Sequence, residues 1–269
     1  MWNAEILKQR LKGHLIGSPL YYYEEIGSTN DEAFRLGQEG APEGTVCIAD
    51  RQSAGRGRMQ RVWHSPPCAN IYTSILLRPS FDPFRAGQIS IAAGVAVAET
   101  LNPVCDGKAT LKWPNDVQIG GKKVCGILAQ MKTSGVAIDF VVLGIGINVN
   151  ITQEQFPKDI QEIATSLSIA AKTELSRPDL IIRLYENMAK WYRELQIGFD
   201  PVREKWLGLA PMIGQNVSVR FGDETASGKA LGLGDDGSLL LETDENKRVR
   251  VSAGDATILQ RKEIYAFSD

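Results

Sequence analysis

Four arginines crowd residues 51 to 61, and two of them, Arg56 and Arg58, alternate with Gly55 and Gly57. Glycines on either side of Arg56 let the backbone fold tightly around a ligand, and guanidinium groups present fixed forks of donors to oxyanions. The chemistry such a segment could serve is the binding of phosphate or carboxylate. A charge-assisted hydrogen bond contributes roughly 1.5–3 kcal/mol, so two arginines suffice to order a loop that is otherwise mobile. A solvated Gly/Arg loop has the same composition, and an RNA-binding tract resembles it. The single copy, without repeated Arg-Gly-Gly units or interleaved aromatics, argues for a ligand loop.

Two further segments carry similar potential. Lys112-Trp113-Pro114-Asn115-Asp116 is followed by Lys123-Val124-Cys125-Gly126-Ile127-Leu128. A lysine at the start of a buried strand needs an anionic partner, and Gly126 would let a flat ligand approach the backbone; the bland alternative is that Lys123 is an exposed hairpin residue. In Gly144-Ile145-Gly146-Ile147-Asn148 the glycines interrupt a strong strand and an amide appears at its end. Without the third glycine and following helix this is no dinucleotide fingerprint. Either it marks a bulge, or small residues let a purine lie on the strand while Asn148 bonds its edge.

Positioning these residues requires a sheet. Leu20–Glu25 reads as a strand, followed by a helix with capping-box spacing at Thr29 and Glu32, a staple residue at Ile26 and candidate stops at Gly37 and Gly40. Thr45–Ala49 and Asn70–Leu77 read as strands on either side of a long loop over 51–69. Ala86–Leu101 suits a buried helix ended by Pro103, and a sheet segment begins near Thr110. Val117–Ile119 and Lys123–Gln130 flank Gly120-Gly121 as a hairpin, and Ala137–Val149 is a further strand. Pro178–Gln196 and Val202–Leu209 read as helices. After Met212 the chain breaks into short pieces, Val217–Phe221, Ala226–Leu233, Ser238–Leu241 and Arg248–Val251, the pattern of a small barrel. The expectation is a mixed α+β domain over 1–210 and a small β-domain over 211–269, which at that size leans on its neighbour.

Composition bounds the function. With 43% apolar and 23% charged residues in 269, neither disorder nor a fibrous class fits. A net charge of -2 gives no general drive toward nucleic acid or anionic membrane. Met1–Arg10 lacks the order of a signal peptide and no apolar run is long enough to span a bilayer, so a cytoplasmic location is expected. Cys47, Cys68, Cys105 and Cys125 form no Cys-x-x-Cys pair and read as reduced, mostly buried thiols. With only His14 and His64 as imidazoles, no zinc site is expected.

These three segments, together with Gly27-Ser28-Thr29-Asn30 and Asp50-Arg51-Gln52-Ser53-Ala54, resemble biotin protein ligases in order, spacing and residue type, over nearly the whole chain. The resemblance implies a mixed central sheet flanked by helices, class II synthetase-like, with a small C-terminal SH3-like barrel. It implies ATP-dependent formation of biotinyl-5'-AMP and transfer of biotin to a lysine of a biotin carboxyl carrier protein, such as that of acetyl-CoA carboxylase, with ATP and Mg2+ required. Ser28, Thr29 and Gln52 would bind the ureido ring, with Gly55 and Gly126 beside the biotin. Arg56 and Arg58 would lie on the carboxyl and phosphate side, and Lys123 beside the reacting carboxylate and α-phosphate. Trp63 and Asn148 would face adenine, with Lys112 and Asn115 also on the nucleotide side and Asp116 on the metal side.

Two departures stand out. Many relatives continue the loop as Gly-Arg-Gly-Arg-Arg-Gly, whereas Met59 and Gln60 hold the last two places here, and Arg61 is the candidate to compensate. Only about 20 residues precede the first expected strand, too few for a helix-turn-helix, so no DNA partner is expected. Monomer and homodimer both remain open. A lipoate or octanoate ligase or transferase of the same superfamily is the nearest alternative, disfavoured by the Gly/Arg loop and Gln52. A non-enzymatic nucleic-acid-binding protein would leave the segment from Lys112 to Lys123 unexplained.

Overall fold

The structure is a computed structural model and describes residues 4–259; the outer ends of the two expected domains lie outside the described residues. A short helix α1 (Ala4–Arg10), not anticipated from the sequence, precedes β1 (Leu20–Ile26), α2 (Thr29–Gln38) and β2 (Val46–Gln52). After the Gly/Arg loop come β3 (Ile71–Leu77), α3 (Gly87–Leu101), β4 (Ala109–Lys112), β5 (Asp116–Ile119), β6 (Lys122–Ser134) and β7 (Ala137–Ile147). The short helix α4 (Leu167–Ala171), also unanticipated, leads to α5 (Arg177–Ile197) and α6 (Asp200–Leu207).

The first seven strands form one mixed sheet in the order β1-β2-β3-β7-β6-β5-β4. Only β1 and β2 run parallel, joined by the crossover through α2; the other pairs are antiparallel. Strand alternation sorts the side chains by face. On one face Ile71, Ile75, Leu143, Ile145 and Ile147 are buried in the main core with α3 and α5. Helix α3 is buried almost all round, as its alanine-rich sequence without a polar face requires. The opposite face is only half covered. Ala33 and Leu36 of α2 pack there on Cys47, Leu76 and Val142. Farther along the same face the cross-strand pairs are Ser74 with Gly144, Tyr72 with Gly146, and Gly126 with Gly146.

The C-terminal segment forms a five-stranded antiparallel sheet in the order β11-β10-β9-β8-β12, built from β8 (Asn216–Phe221), β9 (Glu224–Leu233), β10 (Leu239–Glu242), β11 (Arg248–Val251) and β12 (Asp255–Ile258). Four strands matched their sequence positions and β12 did not register, because Ala256 is its one buried residue. The main core includes Val217, Leu233 and Leu241 from this sheet, so apolar packing continues across the turn at 210–215. Trp113, 1% exposed, donates its indole N–H to the Gly237 carbonyl at 3.0 Å and fixes the two parts at their centre.

Two local expectations change. Ser28 is the N-cap of α2, but neither it nor Thr29 caps through its side chain, and Glu32 bonds Tyr23 and Arg35 instead of closing a capping box. The helix starts one residue earlier than that box requires, which leaves Thr29 in the first turn with its hydroxyl donating to Gln52 and accepting from Ser74. Of the cysteines, Cys68 is exposed and the other three are buried, and burial pushes the Cys47 thiol up to about 12.

Behind the loop, Asp50 of β2 meets Arg177 at the start of α5, Oδ1 to Nη1 2.7 Å, while its Oδ2 accepts from the Cys68 amide and thiol at 3.0 and 3.2 Å. Burial pushes this carboxyl up, but the Arg177 and Cys68 hydrogen bonds outweigh it and the net shift is downward. Both side chains are about nine-tenths buried. Losing one partner of such a pair costs about 3–5 kcal/mol. Arg177→Met is therefore expected to lower stability by that amount near neutral pH in denaturant titrations. A carboxyl depressed in the folded state stabilises above its unfolded pKa of roughly 3.9 and ceases to as pH falls through the folded value, so the deficit should shrink under acid conditions.

Candidate active site

The uncovered part of the sheet face is the floor of a cavity of about 500 Å3. Its polar end is set by β1–α2, β2 and β3. Thr29, the first residue of α2, donates to Gln52 Oε1 from its amide (2.9 Å) and its hydroxyl (3.1 Å). Gln52 Nε2 donates in turn to Ser65 Oγ at 3.0 Å. On the other side Ser74 Oγ bridges Thr29 Oγ1 (2.8 Å) and Asn30 Oδ1 (2.6 Å), and Asn30 Nδ2 donates to Gln130 Oε1 at 3.1 Å. Ser28, Thr29 and Asn30 are nearly fully buried. Chained hydrogen bonds of this kind hold donors and acceptors in fixed directions. Asn30, Ser65, Ser74 and Gln130 were not singled out in the sequence; Asn30 lies within the quoted Gly-Ser-Thr-Asn stretch, while the others sit in strand or loop contexts that carry no signal.

The other end is cationic. Lys123 Nζ lies 2.6 Å from Asp116 Oδ1 and 5.5 Å from the centroid of the Trp63 ring. The backbone of Lys123 is clamped by the segment after β7, its amide donating to Ile163 O and its carbonyl accepting from Thr165. Arg58 Nη1 donates to Asn115 Oδ1 at 3.1 Å, and Asn115 Nδ2 donates to Ile127 O at 2.7 Å. Burial pulls the Arg58 guanidinium below its usual range, with Asp255 and Asp116 opposing. Arg56 also lines the cavity, but its guanidinium is half exposed and paired with Asp31 at 2.9 Å. Lys112 lines the same end. Phe156, Ile160 and Ile163 supply an apolar wall that the sequence reading did not assign.

Residues 51–69 are less formless than expected. Strand β2 runs on to Gln52, and Arg56 pairs with Val62 in a short antiparallel bridge closed by a tight turn over 58–60. In that turn Met59 (φ 52) and Gln60 (φ 59) both adopt left-handed backbone, a conformation that costs a non-glycine residue roughly 1–2 kcal/mol.

Three expected positions make contacts within the chain itself. The bare Cα atoms of Gly126 and Gly146 are used by the chain's own Trp63: a Cβ on Gly146 would lie 2.5 Å from Trp63 Nε1, and one on Gly126 2.8 Å from Trp63 Cζ3. Neither strand is bulged there, so the glycines serve close approach. The ring N–H of Trp63 is buried and has no acceptor among the described residues. Gly55, expected beside a ligand, is not among the lining residues; its Cα faces Ser65 Oγ and the Trp63 carbonyl. Asn148 lines the cavity, yet its amide donates to Thr165 O at 3.1 Å, holding the segment beyond β7. Among the described residues no three His, Cys, Asp or Glu side chains are grouped to hold a metal. No helix there is long and apolar enough to cross a membrane.

The chain has relatives among known proteins. Residues 22–148 match the biotin/lipoate A/B protein ligase family, and residues 212–258 match the biotin protein ligase C terminal domain. The chain is 33% identical over 264 residues to the biotin–[acetyl-CoA-carboxylase] ligase of Mycobacterium tuberculosis, covering 94% of this chain and 96% of that one. It belongs to the biotin protein ligase family. The bifunctional ligase/repressor BirA of Bacillus subtilis is 40% identical over 244 residues, which span 90% of this family member and 75% of that relative. The biotin protein ligase from Aquifex aeolicus, solved in complex with biotin and ATP, superposes with a TM-score of 0.77 at 29% identity, over 90% of this chain and 98% of that one.

The Gly144 contact gives a test of the polar end. A Cβ there would overlap the Asn30 carboxamide, and overpacking a tight site costs typically about 1–3 kcal/mol. Gly144→Ala is expected to lower the unfolding free energy by that amount in denaturant titrations, and replacing Asn30 by Ala in the same chain should recover part of the loss.

Proposed function

We infer that this protein activates biotin with ATP to biotinyl-5'-AMP, releases pyrophosphate, and transfers the biotin to a lysine of a biotin carboxyl carrier protein. The observation that carries the reading is one cavity with a hydrogen-bonded polar end and a cationic end on a single sheet face. The ureido ring of biotin has two N–H donors and a carbonyl acceptor. The buried Ser28, Thr29 and Asn30 with the partly buried Gln52 offer partners for both, and a site equipped this way rejects analogues lacking those groups by roughly 10⁴-fold.

The biotin carboxylate then points toward Lys123 and Arg58. In the first step its oxygen attacks the α-phosphorus and pyrophosphate leaves. The ammonium and guanidinium reduce repulsion between the two anions and stabilise charge on the phosphorus oxygens. In the second step an acceptor lysine amine attacks the acyl carbon of the mixed anhydride, and AMP departs. No enzyme nucleophile is needed; orientation and exclusion of water do the work. Trp63 offers its ring face to the ligand, and Phe156 and Ile160 supply apolar contact for the adenine.

Magnesium is ordinarily held by one or two carboxylates together with substrate phosphates and water, and it neutralises phosphate charge. Asp116 is one carboxylate in the right region, and it already faces Lys123. This donor set fits an ion that arrives with the nucleotide, with Asp116 as its protein contact.

The direct test is to incubate the protein with Mg-ATP and either biotin or lipoate. The expected result is pyrophosphate release with biotin alone, and biotinyl-adenylate retained on the protein by mass spectrometry; adenylation of lipoate in preference would overturn the assignment. Arg58→Ala should lose about 10²-fold in adenylation rate, the scale of a lost transition-state donor, and release adenylate prematurely. Wild-type rates from that variant would remove the loop from the reaction.

A further inference from the structure

The C-terminal sheet reaches the cavity wall at the start of β12, and what it brings there is a carboxylate. Asp255 receives Arg61 Nη2 at 2.6 Å and lies 3.8 Å from Arg58 Nη1, while the Gly254 carbonyl accepts from Arg58 at 3.3 Å. The position is fixed from behind. Asp255 is in register with Arg220 of β8. Gly254, at φ 129, has the Arg220 carbonyl and the Val219 side chain 2.7 Å from where a Cβ would stand. No larger residue fits there without a shift, so the turn into β12 has essentially one shape.

On the loop side, Arg58 and Arg61 bound the tight turn, the Arg61 amide returning to the Arg58 carbonyl at 3.1 Å. One carboxylate and its neighbouring carbonyl therefore hold both ends of the turn. With the turn held, the Arg58 guanidinium rests against Asn115 at the edge of the cavity. The guanidinium of Arg61, the arginine after the turn, faces Asp255.

We propose that Asp255 is a positioning residue that latches the Gly/Arg loop to the C-terminal sheet through Arg61, and so sets how long the acyl-adenylate stays enclosed. The proposal rests on the biotin-activating reading above. The pair is partly exposed, 66% for Arg61 and 36% for Asp255, and an ion pair of this kind shifts an equilibrium by at most roughly fivefold. That weakness suits a latch that must open in every turnover, since loop opening governs product release in many enzymes. The polar end, formed by Thr29 and Gln52, hydrogen-bonds to no residue of the C-terminal sheet in the contacts described above. Loss of the latch should therefore act on the nucleotide side.

The experiment compares the full-length protein with Asp255→Asn, Asp255→Glu, Arg61→Ala and the double variant Asp255→Asn/Arg61→Ala. Each is charged with biotin and ATP, passed through gel filtration, and followed for release of labelled adenylate; KM values for ATP and biotin are measured in parallel. Asp255→Asn and Arg61→Ala are expected to release adenylate about two- to fivefold faster and to raise the KM for ATP by a similar factor, the scale of an exposed ion pair. The KM for biotin should change little, the double variant should be no worse than either single one, and Asp255→Glu should restore most of the retention. Unchanged or longer retention in Asp255→Asn, or effects that multiply in the double variant, would overturn the latch. Arg61 is exposed enough that its variant tests the proposal even if a change at Asp255 impairs folding. Wild-type protein that forms no adenylate would overturn the functional reading, and the latch with it.

Discussion

Trp63 rests its indole on the Cα atoms of Gly126 and Gly146, a cross-strand pair near the centre of the seven-stranded sheet, and this contact requires that neither strand carry a side chain there. Elsewhere on that face the positions are filled: Cys47, Leu76 and Val142 are sealed by α2. Where the glycines begin, the helix no longer covers the sheet and a cavity opens. The same economy appears at Gly144, whose missing Cβ is the space occupied by the Asn30 carboxamide. The floor is rigid because both glycine-bearing strands are central and paired on both sides, so the room gained does not loosen the backbone, the usual cost of glycine in a strand.

The charges around that floor fall into two classes. Asp50 and Arg177 are buried, tied by several hydrogen bonds and remote from exchange; they fix β2, and with it Gln52, against α5. Arg56 with Asp31, Arg61 with Asp255 and Lys123 with Asp116 are partly exposed. Pairs of that kind contribute little in water and are exchanged readily. A ligand that carries a carboxylate and phosphates can compete for such cations without the desolvation penalty that breaking a buried pair would incur. The division between a fixed scaffold pair and replaceable cavity pairs is what a loop that opens and closes needs.

The C-terminal sheet belongs to the same argument. Its apolar strands share the main core, Trp113 reaches its Gly237 carbonyl, and Asp255 meets the loop. A sheet of this size buries little surface by itself, and here its stability and its contribution to the cavity come from the same contacts.

Much was legible in the residues alone. Strand and helix positions followed from alternation and helical periodicity, and Arg56, Arg58 and Lys123 were flagged because guanidinium groups between glycines and a lysine at a strand start suit an anionic ligand, whereas Ser28, Thr29, Gln52 and Trp63 were flagged by the resemblance to biotin protein ligases. Glycines at 126, 144 and 146 allowed a close approach or, at 144 and 146, a bulge, but did not say which side chains would come near, Trp63 at 126 and 146 and Asn30 at 144. Local rules also placed Thr29 in a capping box, but the helix takes Ser28 as its N-cap, and the Thr29 hydroxyl donates to Gln52, 23 residues away, and accepts from Ser74. Ser74, Gln130 and Asp255 gave no local signal, since a serine in a strand or an aspartate at a strand start is ordinary by itself. Sequence determined which segments had to be strands, helices and hinges, because those preferences act within a few residues. Only the tertiary structure decided which polar groups met, because a hydrogen bond or ion pair depends on ångström-scale register between strands far apart in the chain.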